Sequence, residues 1–167
     1  FTIKLPLHAP SADTLPPARP ADPVAPVPPP GTCTGRILVV EDNETTLHVL
    51  SHYLHVCGYD VRCAASGTEA VVDAVKYPPD LILMDIQMPA MDGFEATRLI
   101  RGQSDTRIAR VPIIALTALA MPGDRERCQL AGMNHYLTKP IRMDNLVESI
   151  EWHIRRPSRH SDGATSS

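Results

Sequence analysis

Short apolar runs alternate with amphipathic stretches along most of the chain, from Arg36 to Arg156. Short runs rich in apolar or β-branched residues, bounded by polar residues, Gly or Pro, are typical of strands. The pattern predicts five strands, at Ile37–Val40, Tyr59–Ala64, Leu81–Met84, Val111–Leu116 and Met133–Leu137.

Local end signals predict helices after the first two strands. A helical stretch runs from Thr45 to Cys57 and is followed by Gly58, a residue type that often ends helices. The motif Ser66-Gly-Thr-Glu69 is a capping box that opens a second helix. That helix must end before Pro78, because proline interrupts helical hydrogen bonding.

Three more helices are predicted further along the chain. Asp92-Gly93 forms a turn at the start of one, and the next has Pro122 as its first helical residue and Gly132 at its end. The last helix carries apolar residues at helical spacing, namely Met143, Leu146, Val147, Ile150 and Ile154. Five strands that alternate with five helices indicate an α/β fold, with a parallel sheet covered by helices on both faces.

The flanking regions have a different composition. Residues 1–7 alternate apolar and polar positions like a strand without a partner, which suggests the end of an upstream domain. Residues 8–34 are rich in Pro, Ala and Thr, which predicts an extended linker, and residues 157–167 read as a disordered tail. No run of 18 or more apolar residues occurs, and residues 1–30 show no signal-peptide pattern.

Charge and cysteine spacing exclude some functions. A formal net charge of −3 argues against a strongly electrostatic nucleic-acid binder, so nucleic acid is not an expected partner. Direct membrane contact is not expected either, since no long apolar stretch occurs. Cys33, Cys57, Cys63 and Cys128 lack the spacing of a zinc site. We interpret them as reduced thiols of a cytoplasmic protein, although an even number would also permit disulfides.

Polar residues follow the predicted strands where each one ends. Glu41 and Asp42 follow the first strand, Asp85 the third, Thr117 the fourth and Lys139 the fifth. In an open parallel sheet these ends form the edge at which ligands bind. Three carboxylates there favour a hard cation such as Mg²⁺, with Mn²⁺ as a substitute. An ammonium and a hydroxyl beside them suit phosphoryl transfer onto a carboxylate.

The chain resembles the receiver domains of two-component response regulators and of hybrid histidine kinases over residues 35–156. The resemblance implies a flavodoxin-like sheet with strand order 2-1-3-4-5. The motifs that carry it are Ile-Leu-Val-Val-Glu41-Asp42-Asn43, Leu-Met-Asp85-Ile-Gln-Met-Pro89-Ala-Met-Asp92-Gly93, Pro112-Ile-Ile-Ala-Leu-Thr117-Ala118 and Tyr136-Leu-Thr-Lys139-Pro140.

The resemblance also implies roles for the residues at the strand ends. Asp85 would be the phosphoacceptor. Asp42 and Asp85 would bind the metal directly, Glu41 largely through water, and Gln87 through its main-chain carbonyl.

The remaining matched positions would act on the phosphoryl group and on the change of shape. Lys139 would contact the phosphoryl group, and the Lys139–Pro140 peptide bond is expected to be cis. Thr117 would be the switch hydroxyl, and Tyr136 an aromatic switch that turns inward with it.

The sequence leaves the cellular context open. Residues 1–7 resemble the last strand of a histidine-kinase ATP-binding domain, so the parent chain would be a hybrid sensor kinase, a phosphotransferase. Its phosphohistidine domain, on the same polypeptide or a dimer mate, would be the donor, with a separate histidine-phosphotransfer protein as another partner. The domain would be cytoplasmic, and the parent could be anchored in the inner membrane through segments outside this chain.

Two other functions compete with the phosphoacceptor. A phosphatase of the haloacid-dehalogenase kind would use the same residue types, but it needs a second Asp where Gln87 stands. An inactive scaffold receiver would be expected to have lost an acidic or Lys position.

His48, His52 and His55 lie on one face of the first predicted helix. Metal binding and partner docking are both compatible with that spacing. The sequence alone favours a plain solvated face, because the apolar residues lie mostly opposite.

Overall fold

The computed structural model describes residues 34–118 and 123–155. These form a five-stranded parallel sheet in the order β2-β1-β3-β4-β5, which confirms the predicted α/β class and strand order. The strands are β1 (Arg36–Val40), β2 (Asp60–Ala64), β3 (Leu81–Asp85), β4 (Ile113–Thr117) and β5 (His135–Thr138). The predictions for residues 1–7, 8–33 and 157–167, and for Cys33, lie outside the described residues.

Six helices are described rather than the five expected. They are α1 (Glu44–Cys57), α2 (Gly67–Lys76), α3 (Gly93–Arg101), α4 (Thr106–Ala109), α5 (Asp124–Ala131) and α6 (Met143–Arg155). The prediction missed α4, whose four residues are too few to show helical periodicity. It forms because the Asp105 side chain accepts a hydrogen bond from the main-chain N–H of Arg107 at 2.9 Å.

Four caps predicted from the sequence lie at helix ends, namely Gly58, Ser66, Asp92 and Gly132. Gly58 ends α1 in the left-handed conformation, with φ at 100°. The Ser66 hydroxyl accepts from the N–H of Glu69 at 3.2 Å. Glu69 reaches back to the N–H of Ala65 at 2.8 Å, one residue before the expected partner. Helix α5 begins at Asp124, and Pro122, predicted as its first residue, lies outside the described residues.

The core lies in two layers, one on each face of the sheet. Apolar residues of α1 and α6 cover one face, and those of α2, α3 and α5 cover the other. Every residue of β3 and β4 is buried, as expected for central parallel strands. With both faces covered, the carboxyl ends of the strands provide an open edge for chemistry. No described helix is long and apolar enough to cross a membrane.

Arg101 connects the end of α3 to the segments that precede β4 and β5, a role that the sequence did not predict. Its guanidinium donates to the carbonyl oxygens of Gly132 at 2.9 Å and Ala109 at 3.1 Å, and to the Asn134 side-chain oxygen at 2.9 Å. The same Asn134 oxygen accepts from the N–H of Ile113 at 2.9 Å, where β4 begins. Burial lowers the pKa of Arg101 to about 10.

We expect Arg101→Leu to lower the free energy of unfolding by about 2 kcal/mol, because it leaves partly buried acceptors without their donor. Urea denaturation followed by circular dichroism measures the change. Arg98→Leu is the matched control: Arg98 is exposed on the same helix, and its replacement should cost no more than about 0.5 kcal/mol. Equal stabilities of the two variants would contradict this role.

Candidate functional site

Two neighbouring strands bring three carboxylates together at the carboxyl edge of the sheet. Val40 of β1 pairs with Met84 of β3, so Glu41, Asp42 and Asp85 follow at the same level. The N–H of Glu41 donates to the carbonyl of Ala64 at 3.1 Å, which holds Glu41 beside the end of β2. One carboxylate oxygen from each of the three residues lies within 4.8 Å of the others.

The three carboxylates differ in their exposure to solvent. Glu41 is 2% exposed and Asp85 is 3% exposed, whereas Asp42 is exposed. The Lys139 ammonium lies between the two buried groups, 2.7 Å from Glu41 Oε2 and 2.8 Å from Asp85 Oδ2. One cation therefore compensates two buried negative charges, and the cluster retains an excess of negative charge facing water.

The pKa shifts follow from this arrangement. Burial raises the pKa of the Glu41 carboxyl, with repulsion from Asp85 adding to it and the hydrogen bond from Lys139 opposing it. Burial alone would lower the pKa of Lys139, but its hydrogen bonds and attraction to Asp85 and Glu41 outweigh that effect and raise it. Lys139 is therefore held in its charged form beside Asp85.

Strand pairing places Lys139 and Thr117. Thr117, at the end of β4, is buried and pairs with Thr138. The N–H of Lys139 donates to the Thr117 carbonyl at 2.8 Å. The Lys139–Pro140 peptide bond is cis, as expected. Asp85 pairs with Leu116, so Thr117 continues the strand next to the acidic cluster.

The loop after β3 holds the Asp85 carboxylate from the other side. The N–H of Gln87 donates to Asp85 Oδ1 at 3.1 Å. With Lys139 on Oδ2, both oxygens of the carboxylate accept a hydrogen bond. The Gln87 residue itself is exposed, two positions beyond Asp85.

Gly93 allows α3 to approach this loop closely, a requirement that the sequence did not reveal. A Cβ atom at Gly93 would overlap the main-chain oxygen of Asp85 and lie 2.9 Å from the Cα of Ile86. The N–H of Gly93 donates to the Ile86 carbonyl at 3.1 Å. The Asp92 side chain caps the helix by accepting from the N–H of Glu95 at 2.7 Å. The Asp-Gly pair predicted the turn and the start of the helix, but not this close approach to the loop.

We expect Gly93→Ala to lower the free energy of unfolding by about 3 kcal/mol, because the added methyl group meets main-chain atoms that cannot rotate away. Gly102→Ala is the control, since its Cβ would meet nothing closer than the Arg98 carbonyl at 3.5 Å. That substitution should change stability by less than about 0.5 kcal/mol. Thermal denaturation of both variants measures the difference in stability. Equal stabilities would show that α3 can shift to accept the methyl group.

Tyr136 lies on β5, where it pairs with Ala115 of β4. Its half-buried ring packs against the core on the α5 side of the sheet. It also lines a groove of about 390 Å³ with residues of α5 and β5, among them Arg125, Gln129 and His135. The structure thus brings together Glu41, Asp42, Asp85 and Lys139, adds Thr117 on the adjacent strand, and leaves Tyr136 on β5.

Comparison with known proteins agrees with this geometry. Residues 37–151 match the family model described as the response regulator receiver domain. The chain belongs to the response regulator receiver family. The domain is therefore a component of two-component signalling. A curated relative, the polar-differentiation response regulator DivK of Brucella ovis, is 37% identical over 121 residues, covering 72% of this chain and 97% of the relative.

Solved receiver domains have the same fold. The receiver domain of a sensor histidine kinase from Pseudomonas aeruginosa, solved with a magnesium ion coordinated in its active-site cleft, is 44% identical, with a TM-score of 0.68. The match covers 74% of this chain and all of that one. The receiver domain of a signal transduction histidine kinase from Syntrophus aciditrophicus is 34% identical, with a TM-score of 0.68, and the match covers 77% of this chain and 96% of that one.

Proposed function

We propose that Asp85 accepts a phosphoryl group from a phosphohistidine and that the domain then changes shape. The observation that carries the proposal is the Lys139 ammonium within 2.8 Å of Asp85 Oδ2, beside the carboxylates of Glu41 and Asp42. In the step, an Asp85 oxygen attacks phosphorus and the P–N bond breaks. The electron pair stays on the imidazole nitrogen, which takes a proton from solvent, and an acyl phosphate forms on Asp85.

The donor set fits Mg²⁺. Three carboxylates within 4.8 Å of one another repel unless a cation lies among them, and Mg²⁺ prefers oxygen ligands. Asp42 and Asp85 would bind it directly, Glu41 largely through water and Gln87 through its main-chain carbonyl, with Mn²⁺ as a substitute. When bound, the ion neutralises negative charge on the carboxylates and on the phosphoryl oxygens.

Three residues of the chain would contact the phosphoryl group or change the shape of the domain. Lys139 contacts a phosphoryl oxygen once the group lies on Asp85, since its ammonium is already held there. The Thr117 hydroxyl moves toward the phosphoryl group and donates to it. Tyr136 turns inward beside α5, which alters the β5 surface and biases the domain between two shapes.

The relatives support a histidine-kinase domain as the phosphoryl donor. Solved relatives from two bacteria are receiver domains of histidine kinases, which supports a histidine-kinase phosphohistidine domain as the partner here. Residues 1–7 suggest that the donor belongs to the same polypeptide or its dimer mate, as in a hybrid sensor kinase. A separate histidine-phosphotransfer protein is the second partner of this proposal.

The test is intact mass spectrometry after incubation with Mg²⁺ and acetyl phosphate. We expect one phosphoryl adduct per chain, absent when EDTA removes the metal. An adduct that forms equally well in EDTA would contradict the role of the cation. If acetyl phosphate leaves the chain unlabelled, a purified phosphorylated kinase is the donor to use next, and failure with both would favour the scaffold alternative.

Family membership favours this function over the phosphatase alternative. The position that a haloacid-dehalogenase-type phosphatase fills with its acid holds Gln87, which cannot donate a proton as an acid. We therefore expect no turnover of p-nitrophenyl phosphate. Sustained release of nitrophenol that depends on Asp85 would reverse this assignment.

A further inference from the structure

The exposed face of α1 carries a pair of histidines that the phosphoacceptor site does not use. His48 and His52 are four residues apart, and both are exposed. Their ring centroids lie 6.4 Å apart, and the ring planes are within 17° of parallel. A spacing of four residues puts two imidazoles one above the other on a helix, the arrangement that helical metal sites use.

We propose that His48 and His52 form a second cation site, which binds a late first-row divalent ion such as Ni²⁺, Cu²⁺ or Zn²⁺ through imidazole nitrogens. Imidazole suits these ions, whereas Mg²⁺ selects oxygen ligands. The two histidines and the acidic cluster would therefore select different cations on one domain.

The distance between the rings fits this role after a small adjustment. With metal–nitrogen bonds of about 2.0–2.1 Å, two imidazoles on one tetrahedral ion have centroids roughly 5 Å apart. The rings must therefore approach by about 1 Å and turn so that one nitrogen of each, whose lone pair lies in the ring plane, points at the ion. Exposed histidines can do this because the χ2 torsion of histidine is broad.

The surroundings favour a cation. Glu44 lies one turn before His48 and is exposed in the first turn of α1. Its carboxylate adds negative charge on the same side of the helix, one turn from His48. Asn43 secures that turn by accepting from the N–H of Thr46 at 3.0 Å, so the histidines stand on a capped helix.

His55 provides an internal control. It is exposed and three residues beyond His52, but the ring that stacks with His52 is that of His48. We assign the site to His48 and His52, so His55 should not be needed. Because the spacing exists only when α1 is helical, the ion binds the folded state and should raise the melting temperature.

The experiment is isothermal titration calorimetry of the tag-free chain with Ni²⁺, in excess Mg²⁺ to occupy the acidic cluster. We expect His48→Gln and His52→Gln each to weaken Ni²⁺ binding at least tenfold, by roughly 1.4 kcal/mol or more, since each removes one arm of a chelate. His55→Gln should leave the affinity within about twofold of the unchanged chain.

Melting temperatures measured with and without Ni²⁺ give the second readout. Ni²⁺ should raise the melting temperature of the unchanged chain and of His55→Gln, and should do so less for His48→Gln and His52→Gln. Binding that persists in the double variant His48→Gln/His52→Gln, loss of binding in His55→Gln, or no binding heat in the unchanged chain would each overturn the assignment.

Discussion

Asp85→Asn is expected to abolish phosphoryl labelling, the largest effect of any substitution in this domain. The amide cannot act as the nucleophile that forms an acyl phosphate, although its shape matches the carboxylate. Intact mass after Mg²⁺ and acetyl phosphate measures the effect. Labelling at the unchanged level would show that Asp85 is not the acceptor.

The fold should tolerate this change. An asparagine oxygen can still accept from the N–H of Gln87 or from Lys139. The substitution also removes one of two neighbouring buried negative charges. We therefore expect the free energy of unfolding to change by less than about 1 kcal/mol. Asp92→Asn is the matched control, because asparagine caps a helix as well as aspartate. That variant should label normally.

Lys139→Met should produce the second largest effect, in both chemistry and stability. Removing the cation that contacts Asp85 should slow labelling by about 10²-fold or more, as loss of one preorganised electrostatic contact does in enzymes. It also leaves Glu41 and Asp85 buried without their cation. Without metal, the substitution should lower the free energy of unfolding by about 3 kcal/mol, because it leaves buried carboxylates without the cation that offsets their desolvation.

Metal dependence separates this role from a general packing defect. Added Mg²⁺ should restore more stability to Lys139→Met than to the unchanged chain, because the ion neutralises the same carboxylates. Denaturation with and without Mg²⁺ tests this. Lys76→Met is the control, since Lys76 is exposed on α2 and its ammonium lies 5.7 Å from the centroid of the Tyr77 ring. Equal labelling rates for the two variants would remove Lys139 from the proposed mechanism.

Much of the fold could be predicted from local pattern. Strand and helix positions follow from apolar periodicity, which records only which side of each element faces the core. Gly58, Ser66 and Asp92 end or begin helices because their own geometry or side chains satisfy nearby main-chain groups. Helix α4 was not predicted, because a single turn is too short to show helical periodicity.

The candidate site was predicted as a set of residues but not as a geometry. Family motifs and strand ends both pointed to the carboxylates and to Lys139. The sequence did not reveal that one ammonium bridges Glu41 and Asp85, nor that Asp85 accepts from Gln87 as well. Those contacts depend on the order and register of the strands.

The sequence by itself determined the alternation of elements, the main caps and the residue types at each strand end, because these depend on neighbours in the chain. Tertiary structure decided the contacts between distant residues. Lys139 meets Glu41 across 98 positions, Arg101 meets Asn134 across 33, and Gly93 lies against the Asp85 main chain. Such contacts follow from how the helices pack on the twisted sheet, and hydrophobic periodicity does not encode that packing.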